Sequence, residues 1–163
     1  MRLLIDLDGV MIDGFRKEAI GPDWRHYPCQ WIFSGCCTDK TADEVFTDEH
    51  FSDPDCIIPG AIVGVQILQQ YFDVHFVSTP WHRNPGSAKA KYELMEHMGF
   101  PTKMLTLTHD KTLIPAFALV DDRPGLSGPW RHILYPASWN NSTLPDWENG
   151  MVSYILGVRE IVR

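Results

Sequence analysis

Two aspartates one residue apart, Asp6 and Asp8, close a short apolar run in LLIDLDGVMID, with Gly9 directly behind them. Carboxylates that close repel, so the pair is costly unless a positive charge sits between them or one of them is meant to react. Two further apolar runs end in reactive groups: HFVST closes on Ser78 and Thr79, and FALVDD on Asp121 and Asp122. Lys111 stands ten residues before Asp121. In an open parallel sheet, ligands sit outside the carboxyl ends of the strands, where the strand order reverses. If these runs are neighbouring strands, all of these side chains converge there. A crevice with several carboxylates suits a hard cation with oxygen ligands, and Mg2+ is the natural candidate because it keeps some waters and is often shared with substrate phosphate. Asp6 then reads as a nucleophile and Asp8 as a general acid and base. Ser78 and Thr79 read as donors to phosphate oxygens, Lys111 as a point charge and Asp121 as a metal ligand. Asp122 would orient a water on the metal, and Gly9 would permit the tight turn that lets both carboxyls face one point.

The elements that must position these groups follow from pattern. Arg2–Ile5, DVHFVSTP, MLTLT, AFALVDD and RHILYP read as strands, the first a buried parallel type. PGAIVGVQILQQYF has roughly helical apolar spacing with Pro59 at its start, and NPGSAKAKYELMEHMGF reads as a helix ending at Gly99. A closing helix is expected from Met151 onward. Strands alternating with helices predict a right-handed α/β fold, a Rossmann-like three-layer parallel sheet. Residues 14–57 are too many for a simple strand-to-helix connection. They carry Trp24, Tyr27, Trp31, Phe33, Phe46 and Phe51, and read as a small cap inserted after strand 1, with FSDPD as loop. The catalytic core is then 1–13 and 58–163. Phe33, Phe46 and Trp81 are candidates for lining a substrate pocket.

The chain has 163 residues, which suits one domain with a modest insertion. Its formal net charge of −7 argues against a broad nucleic-acid-binding face, which relies on clustered cations. The N-terminus lacks a charged-then-apolar leader, and no apolar stretch approaches the ~20 residues that span a bilayer. The expectation is a soluble, cytoplasmic protein. Cys29, Cys36, Cys37 and Cys56 form no C-x-x-C pair and read as reduced structural thiols. The seven histidines show no metal-binding spacing.

The order DLDGV, strand-ending ST, lysine and DD resembles the haloacid dehalogenase superfamily of phosphohydrolases. Within it, FVSTPW, THDKTLIPAFALVDDRPG and the D-x-D-G-V-x-x-D of the first strand resemble the 5'(3')-deoxyribonucleotidase group. The resemblance covers the chain outside residues 14–57. It implies a Mg2+-dependent phosphomonoesterase acting on a (deoxy)nucleoside monophosphate, in which Asp6 forms an aspartyl-phosphate. Asp8 would protonate the departing oxygen and then activate water. Mg2+ would be held by Asp6, the Asp8 carbonyl and Asp121, and phosphate by Ser78, Thr79, Lys111 and Lys91. The segment WHRNPGS departs from what the group leads one to expect, and His82 and Arg83 are further candidates for reaching phosphate or ribose. Two alternatives stand beside this reading. One is a phosphatase of the same superfamily for another small phosphometabolite; the other is a phospho-accepting switch or binding protein.

Overall fold

The computed structural model describes residues 1–13, 52–137, 140 and 142–161. Five strands form one all-parallel sheet: β1 (Arg2–Ile5), β2 (Asp73–Ser78), β3 (Leu105–Leu107), β4 (Ala118–Asp121) and β5 (Arg131–Leu134). Their spatial order is β3-β2-β1-β4-β5. The accompanying helices are α1 (Ala61–Leu68), α2 (Gly86–His97) and α3 (Met151–Glu160). This is the α/β Rossmann-like fold expected from the alternation of apolar runs. The connection SDPD, expected as loop, makes one 3-10 turn over Pro54–Cys56 because Asp53 caps it, accepting from the Asp55 N–H at 2.8 Å. Among the described residues no helix is long and apolar enough to cross a membrane.

β1 lies at the centre, and its three apolar residues Leu3, Leu4 and Ile5 are fully buried. Alternation sorts the strand side chains onto two faces. Leu3, Ile5, Val74, Phe76, Ala118, Val120 and Ile133 join one large core with Val65 and Leu68 of α1, Leu94 and Met95 of α2, and Met151 and Ile155 of α3. Leu4, Val77 and Leu119 form the opposite face, packed by Ile114, Ala116, Leu126 and Trp130 from the strand connections. Each such large side chain removed from water contributes about 1.5–3 kcal/mol. The sheet is therefore a stiff platform, and its strand ends are held in register: Ile5 pairs with Phe76 on one side and Val120 on the other.

Two features fix the loop that follows β1. Gly9 takes φ +74°, which only glycine adopts without strain, and its N–H donates to the Ile12 carbonyl at 2.8 Å. Trp147, buried, donates its indole N–H to the Val10 carbonyl at 2.7 Å. Gly64 of α1 makes that possible, since a Cβ there would lie 2.7 Å from the Trp147 ring. The chain then leaves and returns side by side. Ile12 bridges Ile57 in antiparallel fashion, Asp13 N–H donates to the Cys56 carbonyl at 2.7 Å, and Ile58 N–H donates to the Met11 carbonyl at 2.8 Å. Most of the expected cap, including Phe33 and Phe46, lies outside the described residues.

Candidate active site

β1 and β4 are adjacent, and the chain leaves them toward opposite edges of the sheet, so the switch point lies at their carboxyl ends. Asp6 follows β1 directly, and Asp121 is the last residue of β4. Both are buried. The Lys111 ammonium bridges them, at 2.7 Å from Asp6 Oδ2 and 2.6 Å from Asp121 Oδ2. Backbone donors hold the other oxygens: Leu7 N–H donates to Asp6 Oδ1 at 2.8 Å, and Arg123 N–H to Asp121 Oδ1 at 2.9 Å. Asp122 completes the group, and one carboxylate oxygen from each of Asp6, Asp121 and Asp122 lies within 4.8 Å of the other two.

The electrostatics of this cluster are unbalanced. Burial pushes the Asp6 carboxyl up from 3.8 to about 7, Asp121 and Asp8 push the same way, and Lys111 opposes them. Burial likewise raises Asp122 well above the usual carboxylate range, with Asp6 and Asp121 adding to it. Burial alone would loosen the proton on Lys111, but Asp6 and Asp121 outweigh it and hold the ammonium more firmly than an ordinary lysine. Three carboxylates against one ammonium leave two negative charges uncompensated when all are ionised. An all-oxygen donor set with that deficit fits a divalent hard cation such as Mg2+.

A second cluster stands beside the first. Lys91 of α2 is fully buried and ion-paired with Asp8 Oδ2. It also donates to Ser78 Oγ at 2.9 Å, and Ser78 in turn donates to Asp8 Oδ2 at 3.0 Å. Asp8 keeps a side-chain exposure of 34%, unlike Lys91, although its Oδ1 atom is itself buried. The Asp8 carboxylate thus faces Lys91 and Ser78 rather than joining the three carboxylates of the first cluster.

Local sequence explains how both lysines are aimed. Asp110 caps the 3-10 turn Lys111–Leu113, accepting from the Thr112 N–H at 2.9 Å, while Thr108 Oγ1 accepts from the Asp110 N–H at 3.0 Å. This turn directs Lys111 across the strand ends. In α2, Lys91 shares the buried stripe with Ser87, Ala90, Leu94 and Met95, whereas Lys89 is exposed and pairs with Glu93. Ser87, also buried, accepts from the Trp81 N–H at 2.9 Å and ties the loop after Thr79 to the start of α2. Thr79 is exposed at the end of β2, Trp81 is half-buried against the His82 ring, and His82 and Arg83 are exposed.

The structure therefore brings together Asp6, Asp8, Ser78, Lys91, Lys111, Asp121 and Asp122 from the expected set. Thr79 and Trp81 stand at its margin, and Phe33 and Phe46 lie outside the described residues. Three contributors escaped the sequence reading: Ser87, Trp147 and Asn140. Asn140 donates to the Asp122 carbonyl at 2.7 Å. Its only sequence signal is an Asn-Asn-Ser run typical of turns, which does not separate Asn140 from Asn141.

Comparison with known proteins bears on this constellation. A provisionally named 5'(3')-deoxyribonucleotidase of Bordetella pertussis is 34% identical over 91% of this chain and 92% of its own length. The chain belongs to the 5'(3')-deoxyribonucleotidase family. That family consists of phosphoric monoester hydrolases, and its haloacid dehalogenase-type members fit the order of motifs seen here. The human cytosolic 5'(3')-deoxyribonucleotidase is 27% identical over 99% of this chain and 93% of its own length. The human mitochondrial enzyme is 27% identical over 86% and 72%. No family model matches the chain.

Proposed function

We propose that this protein is a Mg2+-dependent phosphatase of (deoxy)nucleoside monophosphates that works through an aspartyl-phosphate on Asp6. The observation that carries the reading is the buried Asp6–Lys111–Asp121 bridge with Asp122 beside it, at the strand ends where such a sheet binds ligands. Family membership supports a nucleotide phosphatase, and the geometry is compatible with the division of labour proposed below.

Asp6, Asp121 and Asp122, with the Asp8 carbonyl, would hold the metal. When bound, it would offset the carboxylate charge and draw a phosphate group toward the cluster. Asp6 then attacks phosphorus, a P–O bond to Asp6 forms, and the ester P–O bond breaks. Asp8 gives its proton to the departing nucleoside oxygen. In the second displacement Asp8 takes a proton from water, whose oxygen attacks phosphorus and breaks the bond to Asp6. Atoms balance: one ester and one water become one alcohol and one phosphate. Lys111, Lys91, Ser78 and Thr79 donate to the phosphoryl oxygens, and catalysis is mostly positioning and charge neutralisation.

The hydrogen bonds around Asp8 support its role. Lys91 and Ser78 donate to Asp8, and a phosphate group would compete for the same two donors. Substrate binding would thereby free the Asp8 oxygen to carry a proton, on a side chain that is partly exposed. Residues 14–57 are proposed as the cap, supported by the hydrogen-bonded neck at Asp13 and Cys56, which starts and ends that segment at one place beside the site. A cap there would exclude bulk water and choose the base, with Phe33, Phe46 and Trp81 as pocket candidates.

The test is a screen of phosphomonoesters with dUMP, dTMP, other 5'- and 3'-nucleotides and sugar phosphates. The expected result is preference for deoxynucleoside monophosphates, silenced by EDTA and restored by Mg2+. Preference for a sugar phosphate would move the protein to another substrate class, and full activity in EDTA would remove the metal from the account.

A further inference from the structure

Asn140 is half-buried in the connection after β5, and all the hydrogen-bonding capacity of its amide is engaged. Its two N–H groups donate to the Asp122 carbonyl at 2.7 Å and the Tyr135 carbonyl at 2.9 Å. Its oxygen accepts from Ala137 N–H at 3.3 Å and Ser142 N–H at 3.0 Å. The reversed amide orientation would set oxygen against two carbonyls, so the partners fix the assignment. The placement matters because of where the sheet ends. The β4–β5 pairing finishes at Asp121 and Leu134, with Tyr135 N–H donating to the Asp121 carbonyl at 2.9 Å. One residue further, the Asn140 amide takes over the role of a ladder and bridges the chains that leave both strands.

Asp122 needs such a clamp. Its carboxylate is held near two others of like charge, and that repulsion favours any backbone rotation that would swing it away. We infer that Asn140 is a positioning residue for cation binding: by clamping the Asp122 peptide to the end of β5 it keeps the Asp122 carboxylate within reach of Asp6 and Asp121. The inference rests on the metal reading proposed above and extends it to a residue outside the proposed donor set.

Asn140→Asp and Asn140→Ala separate this role from simple loop stapling. Asp retains the oxygen that accepts from Ala137 and Ser142 but loses both donors. Its second oxygen would face the Asp122 and Tyr135 carbonyls that the amide now donates to, whereas added negative charge alone predicts tighter cation binding. The clamp predicts the opposite. Titrating Mg2+ into the full-length, substrate-free protein by calorimetry, both variants should bind about tenfold more weakly than wild type. Turnover at saturating Mg2+ should largely recover. Ser142→Ala, which removes the bond from Ser142 Oγ to the Leu134 carbonyl (2.7 Å) in the same loop, should leave Mg2+ affinity within about twofold of wild type. Asn140→Ser, the mildest change, provides the comparison if the other two fail to fold, and it too should bind Mg2+ more weakly. Wild-type affinity in the Asn140 variants, or an equal loss in Ser142→Ala, would overturn the inference. Asp121→Asn is the separate control: Mg2+ bound by it as tightly as by wild type overturns the metal reading itself, and the inference with it.

Discussion

The two lysine clusters differ in charge balance and in access to water. Around Lys111, among the described residues, three acids meet one base: Lys111, Asp6 and Asp121 have side-chain exposures of 13%, 9% and 1%, and Asp122 is half-buried. Around Lys91, among the described residues, one acid meets one base and one hydroxyl, and the acid's side chain is 34% exposed. The first cluster carries a charge deficit that a cation would relieve and a carboxylate poised to react. Among the described residues the second pairs one carboxylate with one ammonium, on an aspartate side chain that is partly exposed. Nucleophile and proton carrier are two residues apart in sequence, yet they face different partners, Lys111 for Asp6 and Lys91 with Ser78 for Asp8.

The comparison breaks most sharply at Lys111. Lys111→Met should lower turnover by about 10^3-fold, as expected for loss of a buried donor aimed at developing charge. It should also destabilise the metal-free protein by about 3 kcal/mol, because it leaves Asp6 and Asp121 buried without their shared cation. Steady-state kinetics and chemical denaturation measure both. Lys91→Met should cost less. Turnover should fall by about 10^2-fold, but stability should change by less than about 1 kcal/mol, since a buried methionine replaces a buried ammonium and Asp8 can turn to water. Equal destabilisation by the two changes would erase the distinction between the clusters.

The first cluster imposes a pH dependence of its own. The Asp6 carboxyl is raised to about 7, so the fold favours its protonated form. That contribution is complete below the unfolded value of 3.8 and is lost as pH rises through about 7. Asp122 is shifted the same way. Melting temperature of the metal-free protein should therefore fall across this window, and Mg2+ should raise it more at about pH 8 than at about pH 5. A Mg2+ effect independent of pH would contradict the charge deficit. The smallest expected effect concerns the turn that aims Lys111. Asp110→Ala should reduce turnover by several-fold, about the size expected from loss of a cap. Asp110→Asn, which keeps the accepting oxygen, should restore most of it.

Much of this was legible in the sequence because the strands are continuous apolar runs, and each of the three that build the site ends abruptly in polar groups. Asp6, Ser78 and Asp121 follow from that pattern alone. Lys91 was less legible. Lys89 and Lys91 look alike in AKAKYE, and only packing against the sheet decides that one is solvated and the other fully buried. Asn140 and Trp147 were not legible, because their hydrogen bonds reach backbone carbonyls far away in sequence, at Asp122 and Val10. Gly64 shows the same limit: its missing side chain is meaningful only once Trp147 lies against it.

The central claim is that Asp6 is the residue that becomes phosphorylated. Rapid acid quench during dUMP turnover, followed by borohydride reduction and peptide mass spectrometry, tests it directly by converting an acyl-phosphate aspartate to homoserine. The account predicts homoserine at position 6 in wild type and none in Asp6→Asn, which should also be inactive. Homoserine at Asp8, Asp121 or Asp122, or steady turnover by Asp6→Asn, would contradict it.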